Sequence, residues 1–237
     1  MVMRLVQGII AFGLFAVIAG AAAASQRDRE ACHDESGDKA IAACNRVIQD
    51  RSESAKSRAI AYTSRGFEYH HKGDYDRALA DHTEAIKLDP KLADAYNNRG
   101  VTFRTKDEYA RAITDYNEAI RLNPKADSYY YNRCWARAFL GRLDAALADC
   151  NESLRLKPGD EATLRVRGLV YLKLEQLDKA IADYDAALRS NPKLSQSLYG
   201  RGWAKLKKGD TAGQADIAAA KTIQADIAEW FAKYGVK

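Results

Sequence analysis

The stretch ADAYNNRGVTFRTKDEYARAITDYNEAIRLNPKA, residues 93–126, contains two apolar patterns of helical period on either side of a short polar turn. The first pattern consists of Tyr96, Gly100 and Phe103. Their spacing of three and four residues predicts a first helix from about Ala93 to Thr105. Alanines and isoleucines at similar spacing predict a second helix from about Tyr109 to Leu122. The stretch therefore predicts two antiparallel helices joined by a tight turn.

The same pattern recurs every 34 residues along the chain. An arginine followed by a small residue marks each recurrence, at Arg65, Arg99, Arg133, Arg167 and Arg201. All four prolines of the chain fall in one such frame, at Pro90, Pro124, Pro158 and Pro192. Helix pairs this short cannot bury their apolar stripes alone, and stacking against neighbours completes the core. The period therefore predicts an all-α fold of stacked helix pairs.

The quoted stretch resembles the tetratricopeptide repeat. That family places an aromatic, a glycine and an aromatic on its first helix, as at Tyr96, Gly100 and Phe103 here. It places alanine, an aromatic and alanine on its second helix, and often proline at the exit. The corresponding residues here are Ala112, Tyr116, Ala119 and Pro124. The resemblance implies a right-handed superhelical solenoid of antiparallel helix pairs, with four units at 59–92, 93–126, 127–160 and 161–194. The chain departs from the family before the glycine, where it has arginine in place of the common leucine.

Both ends are predicted to be degenerate repeats that cap the stack. Residues 25–58 match the repeat only over a short second-helix segment. Residues 195–237 contain a good first helix and then a second helix out of register. The last predicted helix has an apolar stripe made of Ile227, Trp230, Phe231 and Tyr234. We expect this C-terminal helix to cover the open end of the stack, because a terminal repeat needs a polar outer face.

Residues 1–24 are predicted to be a signal peptide. Arg4 precedes a mostly apolar run, small residues end at Ala24, and the sequence then turns abruptly polar. The alternative is an uncleaved anchor, although the run is barely long enough to span a bilayer. We therefore expect an exported protein, periplasmic in the first place, with secreted or membrane-tethered forms as alternatives. Membrane contact is expected only through an uncleaved N-terminus.

The four cysteines form two local pairs, Cys32 with Cys44 and Cys134 with Cys150. In each pair, two antiparallel helices joined by one turn bring the cysteines level. Neither pair has the close spacing of zinc ligands, and an oxidising compartment favours disulfides. Two structural disulfides are the preferred interpretation, with reduced buried pairs as the alternative.

The arginine of each unit lies sixteen residues before an aspartate on the second helix. The four aspartates are Asp81, Asp115, Asp149 and Asp183. We predict that each arginine pairs with its aspartate across the helical hairpin. The alternative is that all of them are independent solvated charges, whose pairing would contribute at most about 1 kcal/mol.

The sequence offers little support for catalysis, metal binding or nucleic-acid binding. The formal net charge is +5, and basic residues alternate with acidic ones without forming a basic block. Motifs of hydrolases, P-loop proteins and dinucleotide-binding proteins are missing from the sequence. The histidines lack metal-ligand spacing, and His82 is expected to replace a core aromatic. We predict no enzyme, no cofactor, no metal site and no nucleic-acid partner.

The resemblance also implies that the first helices line a concave groove that holds an extended or helical peptide. This groove would begin with Ser64 and Phe67. Its main residues would be Asn97, Asn98, Arg104, Tyr131, Asn132, Trp135, Arg165 and Trp203. Asparagine can bond a peptide backbone, arginine can clamp a carboxylate, and aromatic residues are typical anchors. The alternative for Trp135 is packing between repeats. Val101 stands where the clamp that some relatives use for acidic tails has asparagine, which disfavours such tails.

These observations together predict an exported adaptor that binds a segment of another protein in its groove. The alternative is a structural or assembly subunit of an envelope complex, either self-associating or membrane-tethered. An enzyme with an unrecognised site is a third and weaker interpretation. Light scattering distinguishes the first two, because a self-assembling scaffold is not monomeric.

Overall fold

The computed structural model describes residues 25–236, so the predicted signal peptide lies outside the described residues. All regular structure in this part of the chain is helical, and the first helix, α1, runs to residue 34. Twelve further helices follow: α2 (Gly37–Gln49), α3 (Ala55–His71), α4 (Tyr75–Leu88), α5 (Ala93–Thr105), α6 (Tyr109–Leu122), α7 (Asp127–Phe139), α8 (Leu143–Leu156), α9 (Glu161–Lys173), α10 (Leu177–Ser190), α11 (Ser195–Lys207), α12 (Gly213–Ile223) and α13 (Ile227–Lys233). Between residues 25 and 236, none of these helices has the length and apolar character needed to cross a bilayer. The predicted all-α repeat fold is confirmed, and α5 and α6 have the bounds predicted for the quoted stretch.

The chain divides into two compact units. The N-terminal unit ends at Thr102 and the C-terminal unit begins at Phe103. The division falls within α5, so the hairpin of the quoted stretch has its first helix mostly in one unit and its second helix in the other. Each unit is described below by itself.

The turn inside each of the five hairpins from α3 to α12 contains a residue in the left-handed backbone region. These residues are again 34 apart, at Gly73, Asp107, Gly141, Glu175 and Gly209, with φ between 56° and 83°. At the first of them, the amide of Gly73 donates to the His70 carbonyl and the amide of Asp74 donates to the Tyr69 carbonyl, both at 2.9 Å. This pair of hydrogen bonds ends the helix by satisfying its last backbone carbonyls. Glycine adopts the conformation without steric cost, whereas Asp107 and Glu175 adopt it at roughly 1–2 kcal/mol.

A small residue on the first helix faces a ring on the second helix of the same hairpin. A Cβ atom added to Gly66 would lie 2.7 Å from the His82 ring, and one added to Gly168 would lie 2.9 Å from the Tyr184 ring. Only glycine therefore fits at these two positions, because real Cβ contacts are longer. His82 is 1% exposed, which confirms that it replaces a core aromatic.

In the hairpin of α7 and α8, a disulfide stands in place of the glycine and the ring. Cys134 and Cys150 occupy the two positions, their Cα atoms are 5.4 Å apart, and the sulfurs are bonded. Cys32 and Cys44 are bonded in the same way between α1 and α2, with Cα atoms 4.7 Å apart. All four cysteines are accounted for by these two bonds. Both pairings agree with the preferred interpretation of the sequence.

Replacing His82 with phenylalanine is expected to remove an acid-dependent loss of stability. The ring is buried, neither of its nitrogens has a hydrogen-bond partner in the described structure, and burial lowers its pKa to about 3. In the unfolded chain a histidine has a pKa near 6.5, so between pH 6.5 and about 3 the unfolded state binds the extra proton. The wild-type chain should therefore lose about 2 kcal/mol of unfolding free energy between pH 7 and pH 5 through this residue.

Urea unfolding at pH 7 and pH 5 measures this effect in His82→Phe and the wild type. His33→Asn is the control for the loss of a histidine at an exposed position. Parallel pH curves for the His82 variant and the wild type would contradict the assignment.

The predicted arginine–aspartate pairs form within the units. Arg65 contacts Asp81 at 2.6 Å, Arg133 contacts Asp149 at 2.6 Å and Arg167 contacts Asp183 at 2.7 Å. The three aspartates are no more than 6% exposed. The alternative of independent solvated charges is therefore wrong for these pairs. Arg99 and Asp115 belong to different units, and their pairing stays a prediction.

Each paired arginine also reaches back to the second helix of the preceding hairpin. Arg133 donates to the Asn117 side chain at 2.7 Å, and Arg167 donates to Asn151 at 2.8 Å, in both cases sixteen residues upstream. Arg65 makes the same contact with Asn45 over a separation of 20 residues, because the link between its hairpins is longer. We call this repeated set of contacts the arginine ladder. It joins the hairpins of Arg65, Arg133 and Arg167 to the hairpins before them through charge-assisted hydrogen bonds.

Candidate binding faces

The N-terminal unit has an open cavity on its first-helix face, meaning the surface formed by the first helices of its hairpins. The cavity has a volume of about 600 Å³. Helix α3 forms one wall, the end of α1 and the loop after it form a second, and the region around the start of α5 forms a third. The lining of the cavity includes Glu35, Ile60, Ser64, Phe67, Glu68 and Asp94. A cavity of this size is in the range of ligand sites.

Two large apolar side chains of this wall remain open to solvent. Ile60 is 40% exposed and Phe67 is 47% exposed. They lie seven residues apart on α3, so both point from the same side of the helix about 10 Å apart. Ser64 lies between them on that side. The wall therefore presents an apolar surface that is partly exposed, with the His71 ring packed edge-on against Phe67 at 4.2 Å.

The corresponding face of the C-terminal unit is occupied by the chain's own last helix. Trp230 of α13 stacks on Trp135 of α7 with ring centroids 5.9 Å apart. Tyr234, just after α13, meets the Phe139 ring edge-to-face at 4.1 Å, and Phe231 contacts Tyr199 of α11 at 4.7 Å. The sequence predicted that this helix covers the open end of the stack. In the structure its rings pack on first-helix residues of two earlier hairpins.

Polar contacts add to this aromatic cluster. The Lys233 ammonium lies 3.6 Å from Asp107 in the turn between α5 and α6, and the Tyr109 hydroxyl donates to the same carboxylate at 2.5 Å. Burial is the main cause that raises the pKa of Tyr234 to about 12. Its phenol is therefore neutral at ordinary pH. Apolar burial holds α13 in place, with one exposed ion pair at its edge.

The predicted groove residues are divided between the two units. Asn98 lines the cavity of the N-terminal unit together with Ser64 and Phe67. Asn97 and Asn132 are buried, at 8% and 7% exposure. That burial leaves their amides little access to a peptide backbone.

The other predicted groove residues belong to the C-terminal unit and are half-buried. Trp135 lies under α13, and Trp203 belongs to the same apolar cluster. Tyr131 packs against the cluster around the Cys134–Cys150 disulfide. The Arg165 guanidinium donates to the Gln196 side chain. Arg104 lies in the last turn of α5.

Sequence reasoning missed most of the cavity lining, including Glu35, Ile60, Glu68 and Asp94. Ile60 carried a usable signal, because it lies off the buried stripe of α3 and two turns before Phe67. The acidic residues carried none, since they look like any other solvated charges of the repeat.

Comparison with protein families identifies the repeat. Two family models are described as "Tetratricopeptide repeat". One matches residues 93–126 and the other matches residues 165–229. A third, described as "TPR repeat", matches residues 66–107. Together these matches cover more than half of the chain. No curated protein matches the sequence.

Solved structures share the fold at low sequence identity. YrrB, described as "a TPR protein with an unusual peptide-binding site", is 22% identical with a TM-score of 0.63, over 78% of this chain and 94% of YrrB. A solved chain of MamA from Desulfovibrio magneticus RS-1 is 18% identical with a TM-score of 0.63, over 71% of this chain and 96% of that chain. A further MamA structure is 21% identical with a TM-score of 0.61, over 73% of this chain and 94% of that chain. These similarities, the helical hairpins and the 34-residue period agree, and the chain belongs to the tetratricopeptide-repeat family.

Proposed function

We propose that this chain is an exported adaptor that holds a segment of another protein on the first-helix face of its N-terminal unit. The cavity on that face is the observation that carries the proposal. It combines a ligand-sized volume with two apolar side chains that are nearly half exposed. Exposed apolar surface beside a concave, partly polar wall is typical of protein interaction sites.

The C-terminal unit supplies a precedent within the same chain. Its first-helix face holds a seven-residue amphipathic helix, α13, through stacked and edge-to-face rings. Such a helix docked by its apolar face is a common mode of peptide recognition. YrrB, which has the same fold, is described as having a peptide-binding site. The docked helix supports the use of first-helix faces for binding protein segments, and the description of YrrB supports peptide binding by this fold.

Export is proposed from the sequence of residues 1–24 and from the cysteines. Disulfides persist in oxidising compartments and are rare in the cytosol, and both cysteine pairs of this chain are positioned to form them. The periplasm is the compartment we favour. The role is that of a binding protein, without catalysis by the chain itself.

A photo-crosslinking amino acid at position 64 tests the adaptor function in the native envelope fraction. Position 64 lies in the cavity wall between Ile60 and Phe67. The matched control carries the same amino acid at position 84, on α4, which does not line the cavity. We expect light-dependent adducts with another protein from position 64, lost on adding Phe67→Ser, and none from position 84. Equal adducts from both positions would overturn the proposal. Adducts only with a second copy of the chain would support a self-assembling subunit instead.

A further inference from the structure

We infer that the cavity of the N-terminal unit recognises a basic segment, in which a lysine or arginine side chain stands beside an apolar one. The inference rests on the proposed function and specifies the chemistry of the ligand. It is argued from the charges that line the cavity, from the positions of the nearby cations and from the apolar wall.

The cavity is lined by acidic groups from three separate segments. Glu35 comes from the loop after α1, Glu68 from α3 and Asp94 from the first turn of α5. Glu68 accepts a hydrogen bond from the Gly37 amide at 2.7 Å. That bond fixes one oxygen of the carboxylate and leaves its charge in place. Glu35 and Asp94 are exposed, so all three carboxylates stand at or near the solvent side of the cavity.

Lysine and arginine are missing from the described lining of the cavity. His33 is its one basic residue, and the ring of His33 lies 2.7 Å from Asp34. Two cations of the neighbouring elements are paired with carboxylates outside the cavity lining. Lys72 contacts Asp38 at 2.5 Å, and Arg29 pairs with Glu53. The excess of negative charge is local, because the whole chain has a formal charge of +5. A negative concavity on a positively charged protein attracts cationic groups in particular.

The apolar wall sets the second requirement for a ligand. Phe67 and Ile60 present a surface about 10 Å long beside the carboxylates. A lysine or arginine can lay its aliphatic stem along such a surface while its charged end reaches a carboxylate. An arginine or lysine can also lie over the Phe67 ring, where the ring quadrupole attracts a cation. A neighbouring apolar side chain of the ligand would cover the rest of the wall. An acidic segment would meet only repulsion here.

Fluorescence anisotropy with three labelled ten-residue peptides tests the inference on the full chain. The first peptide contains two lysines flanking a phenylalanine in a glycine–serine background. The second has glutamate in place of lysine, and the third has serine in place of phenylalanine. We expect binding of the first peptide at least tenfold tighter than that of either other peptide, with a marked loss of affinity on raising the salt concentration.

Charge-neutral variants locate the binding to the cavity. Glu35→Gln with Glu68→Gln removes two charges, and glutamine at 68 can still accept the Gly37 amide. This double variant should lower the affinity for the first peptide about five- to tenfold, because each exposed charge pair changes affinity by a few-fold. The control is Glu84→Gln on α4 with Asp89→Asn at its C-terminal cap, which removes the same charge outside the cavity lining and should change affinity less than twofold. Circular dichroism establishes that both double variants are folded.

The outcomes separate this inference from the adaptor function. Equal affinity for the lysine and glutamate peptides, or equal weakening by both double variants, overturns the basic-segment inference. If none of the three peptides binds while position 64 still forms adducts with a partner protein, the adaptor function stands and the inference about its ligand falls. If neither assay gives binding, both fall.

Discussion

Replacing Asp149 with alanine is expected to lower the free energy of unfolding by about 3 kcal/mol. Asp149 is 3% exposed and accepts from Arg133 at 2.6 and 2.9 Å and from Arg137 at 2.7 Å. Its removal leaves two guanidinium groups without their anion in a largely desolvated place. Breaking a buried ion pair by deleting one partner typically costs about 3–5 kcal/mol. We expect the lower end, because both arginines keep some contact with solvent.

Glu152→Ala is the matched control for this prediction. Glu152 lies on the same helix, α8, and pairs with Arg155 at 2.7 Å, but the pair is exposed. Exposed pairs contribute little to stability, so the control should remain close to the wild type. Chemical denaturation of both variants and the wild type measures the difference. A loss for Asp149→Ala no larger than that for the control would mean that the ion pairs of Asp149 contribute little to stability.

Replacing Phe231 with alanine is expected to detach α13 from the first-helix face of the C-terminal unit. Phe231 is 1% exposed and contacts Tyr199 and Trp230. Truncating a fully buried phenylalanine costs about 3–5 kcal/mol. Helix α13 is seven residues long and has no helical stability of its own without packing. A loss of about 3 kcal/mol therefore lowers the docking equilibrium roughly a hundredfold.

Tryptophan fluorescence reports this detachment directly. The chain has three tryptophans, and two of them, Trp135 and Trp230, stack on each other across the docked helix. Undocking should move their emission to longer wavelength and increase the binding of a hydrophobic dye. Ile223→Ala is the control, because Ile223 is a large apolar residue at the end of α12 that is 49% exposed. An unchanged spectrum with a cooperative loss of global stability would mean that α13 is an integral part of the core.

The fold could be predicted from the sequence because its signals are local and repeated. The turn residues, the proline frame and the apolar stripes each act within one hairpin, and the 34-residue period repeats them along the chain. The pairing of Arg133 with Asp149 was predictable for the same reason, since both residues recur at fixed places on antiparallel helices. The disulfides follow from the same geometry.

The binding faces were harder to predict, because they depend on contacts between segments far apart in the chain. The apolar stripe of α13 indicates that the helix is amphipathic. The same stripe would allow α13 to pack on the end of the stack or on the first helices of the stack. The cavity depends on side chains such as Phe67 that stay uncovered. No local pattern distinguishes an exposed aromatic residue from one that packs between repeats. The residues of both faces could therefore be predicted only from the resemblance to the repeat family.

The arginine ladder has a consequence for how such a chain can grow or shrink by gene duplication. Each arginine is satisfied half by its own hairpin and half by the one before, so a hairpin removed or added out of phase leaves an unmatched guanidinium at the junction. A duplication of one 34-residue period, by contrast, supplies the donor and both acceptors together. The link after Asn45 shows that the junction tolerates extra residues as long as the acceptor keeps its place in space. The unit that can be duplicated is therefore one full period that keeps each arginine in register with its acceptors. The boundaries of such a unit can lie in the loops between hairpins.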